Sequence, residues 1–278
     1  MRNALSQLPL SGKCGIGILT VLLLAAIFGP MVMHDPYAQD LLRSLEGPSA
    51  EHWLGTDQIG RDLLSRIVVG ARYSLLIGVG ATLFGALLGV AIGVFSGYFG
   101  GWLEMAMMRL MEMLMVFPGI LIALMVIAVA GDGLINVIVA VGLRAVPIFA
   151  RLAQTSTHAI REREYILAAQ AVGASGIRIL FSHVLPALFN SLVVLAALQV
   201  ATSILVGATL SFLGVGISPE MPEWGSMLNT GRRYIFQHWP LVVFPGLAIM
   251  VTVLGINLLG DGLRAMLSKQ QGRGVALK

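Results

Sequence analysis

The sequence predicts an all-α protein that crosses a lipid bilayer six times, and three observations carry that expectation. First, 57% of the 278 residues are hydrophobic and only 12% are charged, about half the charge expected of a soluble domain. Mean hydropathy is +0.86, so water is not the solvent for most of this surface. Second, apolar runs able to span a hydrocarbon core of about 30 Å, each needing about 20 residues, recur along the chain. Third, those runs do not alternate as the ~10-residue strands of a membrane barrel would. A soluble globular enzyme and a disordered chain are both excluded, the latter because disorder requires low hydrophobicity.

The N-terminal segment 1–13 carries Arg2 and Lys13, and the first apolar run follows at 14–33. Signal-peptide cores are typically about 7–15 residues before a small-residue cleavage site. This run is longer and leads into His34-Asp35-Pro36-Tyr37, so an uncleaved first span is expected. A polar loop occupies 34–73. The core, 74–264, then carries five further spans at 74–98, 113–131, 134–153, 190–212 and 241–263. Between the third and fourth lies only Gly131-Asp132-Gly133, a tight turn that forces two antiparallel helices. Polar segments 154–189 and 213–240 flank the fifth span, and a tail runs from 265 to 278.

Lys and Arg placement orients the bundle. With the N-terminus inside, the inner segments hold eleven basic residues and the outer loops six, the latter diluted by nine acids. Both termini and 154–189 are therefore expected in the cytoplasm, and 34–73 and 213–240 outside. The net charge of +4 is read as this inward bias, not as a nucleic-acid surface. The lone cysteine, Cys14, excludes an internal disulfide framework.

Within the second span Gly85, Gly89, Gly93 and Gly97 recur every fourth residue, a flat face on which another helix backbone can lie. The partner is either another helix of this chain or a second membrane subunit. In the cytoplasmic segment, Ile160 to Val172 predict one amphipathic helix with apolar positions 160, 167, 168, 171 and 172 on one face. Gly173 can end it in a left-handed conformation. Ser175 can cap a second short helix, which Pro186 separates from the fifth span. Such a pair offers a knob to a cytoplasmic partner, kept slim by Ala168 and Ala169; an ordinary connector is the alternative.

Ala168-Ala169, Gly173 and Leu185-Pro186 resemble the EAA–x3–G–x9–I–x–L–P signature of binding-protein-dependent ABC importer permeases. Leu167 stands where that signature has glutamate, with Glu164 one turn earlier, and His183 stands where it has isoleucine. His52-Trp53-Leu54-Gly55-Thr56-Asp57, Gly60-Arg61-Asp62 and Ser65-Arg66 look like the outer-loop motif of dipeptide, oligopeptide and nickel importer permeases. Ser211 to Gly216, Trp224-Gly225, Pro245-Gly246 and Asn257 to Arg264 look like the C-terminal half of the same subfamily. The chain thus resembles its C-type permease subunit.

This resemblance implies a type I importer permease fold in a bacterial inner membrane and a role that is transport, not enzymatic. Its partners would be a second permease subunit, two ATPase subunits and an extracytoplasmic solute-binding protein, with no nucleic acid. Glu164, Ala168, Ala169, Gly173, Leu185 and Pro186 would couple the chain to the ATPase. The cargo implied is a di- or oligopeptide, with nickel or glutathione as alternatives; a stand-alone secondary transporter is the rival class. ATP and Mg would be used by the partners, because no GxxxxGK[ST] phosphate cradle occurs here.

Other residues keep two readings. Arg144 lies ten residues, or about 15 Å, inside the fourth span. It either lines the translocation path, where it would attract a peptide carboxylate, or pairs with a neighbouring span. Asp57 and Arg61, four apart, are expected to pair, together with Gly60 and Asp62, as an outer-mouth or binding-protein motif or as a fold-stabilising network that Arg72 joins. Trp224 and Trp239 are expected as anchors at the outer interface. Gly173-Ala174-Ser175-Gly176 also matches an intramembrane serine protease motif, but its serine falls in a polar loop. A metal site at His34-Asp35 lacks a third ligand at suitable spacing.

Overall fold

A computed structural model describes residues 8–275, with side chains through Leu267. Parts of the predicted N-terminal segment (1–7) and tail (276–278) lie outside the described residues. The helices in chain order are α1 (Leu10–Val32), α2 (Leu63–Phe99), α3 (Gly101–Val116), α4 (Gly119–Ala130), α5 (Leu134–Arg161), α6 (Glu164–Ala171), α7 (Gly176–Ile179), α8 (Leu185–Phe212), α9 (Trp224–Gly231) and α10 (Pro240–Val275). Five of the membrane-length segments are long and apolar enough to cross a bilayer alone. The α3–α4 pair passes only jointly and is bent by 95°.

The bend corrects the expectation of one straight span over 113–131. Pro118 has no N–H and drives the residue before it out of the α region; Phe117 accordingly sits at φ −76°, ψ 138°. The chain re-enters a helix only at Gly119. The second span also departs from its apolar run. It begins at Leu63, not 74, because Asp62 caps it, its carboxylate accepting the Ser65 N–H. Arg66 and Arg72, read as loop residues, therefore ride on the first turns of α2.

The glycine stripe packs within the chain. A Cβ at Gly85 would stand 2.6 Å from the Cβ of Ala145, and one at Gly97 2.8 Å from the Gln154 carbonyl. Gly89 and Gly93 press equally on the Val146 and Ala150 carbonyls. Ala145, Ala150 and Ala153 are fully buried against the stripe. Helices α2 and α5 thus form the backbone-to-backbone spine of the bundle, as small residues allow in a bilayer. A second close pair joins the first helix to the last: Gly12 meets Gly262, and Gly15 lies against the backbone of Gly255 and Leu259.

At one end of the bundle, the 131–133 turn uses Gly131 (φ +81°) and Gly133 (φ +148°). It is fastened to the α8–α9 connection: the Gly133 N–H donates to the Gly216 carbonyl at 2.7 Å and the Gly216 N–H to Asp132 at 2.8 Å. Trp224 does not anchor at an interface. It is 1% exposed, packs on Gly70 and donates its indole N–H to the Ile67 carbonyl at 2.9 Å. Trp239 remains exposed, as an interfacial residue would.

Candidate functional site

At the opposite end, α5 continues through Arg161, and α6 starts afresh at Glu164. The single helix expected over 160–172 is thus split, and its buried face differs from the one expected. Ile160 and Ile166 are buried, whereas Leu167 is 53% and Val172 85% exposed. Ile166 packs with Ile179, Leu180 and Val184 in one cluster that also takes Val94 of α2 and Ala153 of α5. Gly173 adopts φ +84° and closes α6, its N–H donating to the Gln170 carbonyl at 2.9 Å and that of Ala174 to Ala169 at 3.0 Å. The left-handed turn costs glycine nothing. The Ser175 hydroxyl then accepts the Arg178 N–H and caps α7.

Pro186 does not separate α7 from the fifth span. A π-turn over Leu180–Val184 joins α7 to α8, and the whole of Gly176–Phe212 is one membrane-length segment. Pro186 sits in the first turn of α8, where its missing N–H disturbs least. The knob is therefore the rigid extension of a membrane helix. Tyr98, near the end of α2, ties it to a second one. Arg161 donates to the Tyr98 carbonyl at 2.9 Å and lies over its ring, while Gly176 abuts the same ring.

Glu164, Ala168, Ala169, Gly173, Leu185 and Pro186 all fall within this feature. Ala169 and Leu185 face inward to the cluster, while Glu164, Ala168 and Pro186 face out. Around them Tyr165, Leu167, Val172 and Ile177 form an exposed apolar surface, each more than 40% accessible. Tyr98 and Arg161 were not singled out by sequence, because neither belongs to the spaced motif. The only signal was the basic Arg161 at a helix end.

The outer-loop motif folds on itself. The Asp57 carboxylate receives the Arg61 guanidinium at 2.6 Å and that of Arg66 at 3.6 Å. It also accepts the N–H groups of Ile59 and Arg61, each at 3.0 Å. Gly60, at φ +78°, turns tightly against the Asp40 backbone. Arg66 reaches on to the Pro36 and Pro219 carbonyls, binding the two loops of this end together. Arg72 does not join the network; it donates to the Ala26 and Ile27 carbonyls of α1.

Asp62 accepts the Ser65 N–H at 2.8 Å and hydroxyl at 2.6 Å, and lies 2.9 Å from His52 Nδ1. His34 brings a third potential ligand atom within 4.8 Å of these two. Asp62 caps α2 through Oδ2, while Oδ1 faces His52, so the structure supplies beside His34 the further ligand atoms that the sequence spacing did not show.

Arg144 stands apart. Its Cγ, Cδ and Nε lie on Gly119, where an added Cβ would sit 2.5–2.7 Å from them. Nη1 is buried and has no hydrogen-bond partner among the described residues, yet the side chain as a whole is only half-buried. An unpaired arginine at such depth costs about 2.5–3.5 kcal/mol on insertion scales. The α3–α4 bend therefore falls where Arg144 of α5 lies.

The family model described as "Binding-protein-dependent transport system inner membrane component" matches residues 89–273. The chain is 42% identical over 270 residues to the dipeptide transport system permease protein DppC of Alkalihalophilus pseudofirmus, covering 95% of this chain and 88% of that one. It is 48% identical over 252 residues to the glutathione transport system permease protein GsiD of Salmonella typhimurium, covering 89% and 82%. Among solved structures, a chain of the MetNI methionine ABC transporter in inward-facing conformations matches with a TM-score of 0.59 at 20% identity, covering 72% of this chain and 96% of that one. That likeness is one of fold.

Proposed function

This chain belongs to the family of binding-protein-dependent transport system inner membrane components, and from that premise we propose that it is the permease through which an ATP-driven importer passes di- or oligopeptides. It is a multi-pass inner-membrane transport subunit of the C type found in dipeptide, oligopeptide and nickel importers, not an enzyme. The peptide cargo rests on the relatives: one named for dipeptides, the other for glutathione, itself a tripeptide. Glutathione is the second reading, favoured by the higher identity of the latter.

In this reading both termini and the 154–189 segment face the cytoplasm. A second permease subunit completes the path, two ATPase subunits use ATP and Mg, and a binding protein delivers cargo outside. The single observation that carries the coupling role is the pinned knob. Its outward face, Leu167, Val172 and Ile177, is apolar and accessible, as a docking surface must be. Its inward face, Ile166 and Ile179, is fixed to α2 and α5. A push on α6 thus reaches α8 through the continuous Gly176–Phe212 segment and α2 through Tyr98. Glu164, Ala168, Ala169 and Gly173 shape the docked surface, and Leu185 and Pro186 begin the lever.

The motif at Asp57, Gly60, Arg61 and Asp62 holds the outer mouth in shape. Its charged side chains are 4–6% exposed, which favours a structural role over direct contact with a binding protein.

Reconstitution tests the function. Liposomes containing the chain with its second permease and ATPase subunits are expected to accumulate peptide only when ATP and the binding protein are supplied. Uptake by this chain alone, driven by an ion gradient, would overturn the reading.

A further inference from the structure

Arg144 is the one charge that the apolar runs of the sequence carry deep within a span, and its Nη1 has no hydrogen-bond partner among the described residues. From the 131–133 turn, α5 reaches Arg144 after ten residues, or about 15 Å. The antiparallel α4 spans 12 residues between Gly119 and the same turn, or about 18 Å. Both therefore lie near the middle of a core about 30 Å thick. At that depth Nη1 is enclosed with no acceptor, while the residue as a whole is only partly exposed. Ionisable groups inside membranes face a wet cavity or a partner, and no partner exists among the described residues.

The element against which the guanidinium lies adds to this charge. Gly119 opens α4 immediately after the Pro118 break, and the first N–H groups of a helix have no acceptor within it. Broken membrane helices that end at mid-depth point such N-termini at anionic substrate groups. The glycine also leaves room for this seat, because a Cβ there would stand 2.5 Å from Arg144 Cδ and push the side chain aside.

We propose that Arg144, seated on Gly119 at the α3–α4 break, is a mid-membrane subsite for a carboxylate of the cargo. Resting on the peptide-importer reading, the subsite favours cargo bearing a free C-terminal carboxylate over the neutral amide. The stem of the side chain packs on Gly119, and Nη1 has no acceptor among the described residues. A carboxylate gives the guanidinium a charge-assisted, bidentate pair in transit, whereas an amide offers only its neutral carbonyl oxygen, a weaker acceptor.

The test uses the assembled importer in liposomes with its binding protein. Uptake of radiolabelled trialanine and of trialanine amide is measured with each saturating the binding protein. Arg144→Gln is expected to lower trialanine uptake about tenfold while moving amide uptake less than about twofold. Arg144→Lys should restore an intermediate preference. Gly119→Ala keeps the charge but displaces it and should shift the same acid-to-amide ratio, so the question stays open to measurement if Arg144→Gln does not assemble.

Equal losses for both peptides, or no loss for either, in an assembly that still hydrolyses ATP would overturn the subsite. Failure of the wild-type importer to take up either peptide would instead sink the peptide reading, and the subsite with it. That outcome is visible before any variant is compared.

Discussion

Nε of Arg61 lies 2.6 Å from Oδ2 of Asp57, with both side chains only 5–6% exposed. A pair so thoroughly removed from water is costly to break from one side only. Asp57→Ala is expected to destabilise the protein by about 3–5 kcal/mol, because it strands Arg61 and Arg66 as buried uncompensated charges. Asp57→Asn combined with Arg61→Gln should recover part of that loss. Thermal unfolding of the detergent-solubilised protein reads both.

The α2–α5 spine predicts a graded series. Gly89→Leu drives a side chain into the Val146 carbonyl, a rigid neighbour that cannot move aside. It should cost about 1–3 kcal/mol or more and lower the yield of monodisperse protein on size-exclusion chromatography. Gly17→Leu, where nothing lies within 4 Å, should leave the yield unchanged.

Gly173→Glu should leave the protein inserted and folded, since an added Cβ meets nothing within 4 Å. A carboxylate on the docking face, together with the strain of φ +84° in a non-glycine residue, is expected to cut uptake by about tenfold or more. Peptide uptake at the normal rate would show that ATPase coupling does not run through this turn.

The ends of the loops carry a pH dependence of predictable sign. His238 is 6% exposed with its Nε2 unpartnered, and burial pushes its pKa below the usual 6.5. The neutral ring is the one the fold accepts. Its stabilising contribution is therefore full above pH 6.5 and is lost as pH falls through the lower folded-state value. Melting temperatures between about pH 7.5 and 5.5 should fall in the wild type and flatten in His238→Gln.

Glu223 shows the opposite slope. It caps α9, accepting the Gly225 and Ser226 N–H groups, yet burial raises its pKa above the usual 4.5. The fold is therefore favoured below 4.5 and loses that contribution as pH rises through the raised value. Glu223→Gln should remove this component from the same melting series.

Much of this molecule was legible before folding. The apolar middle of each crossing helix follows from its apolar run, because solvation by lipid leaves little freedom there, but the helix ends do not: α2 begins at Leu63 and the fifth segment at Gly176, both ahead of their runs. The coupling segment's turn was readable at Gly173 and Ser175, where backbone handedness and capping leave few residue choices. What escaped was set by tertiary neighbours. Leu167 and Ile166 are both apolar and adjacent, and only the Val184–Ile179 cluster decides which is buried. Arg72 and Arg66 differ by less than two helical turns, yet one reaches α1 and the other the loops. Trp224 looked like an interfacial aromatic because sequence does not reveal Gly70 beneath it. The α3–α4 bend was signalled by Pro118, but the hydrophobicity around it masked the break.

The seat of the first helix on the last has a consequence for biogenesis. Gly12 and Gly15 complete their close contacts only when Gly262, Gly255 and Leu259 arrive, and those residues leave the ribosome after all the intervening helices. Until then α1 waits in lipid with its small-residue face unoccupied, held by hydrophobicity and by the Arg72 bonds to the Ala26 and Ile27 carbonyls. The bundle therefore closes like a ring whose clasp is made last, and a stalled nascent chain would present that open groove to any helix nearby.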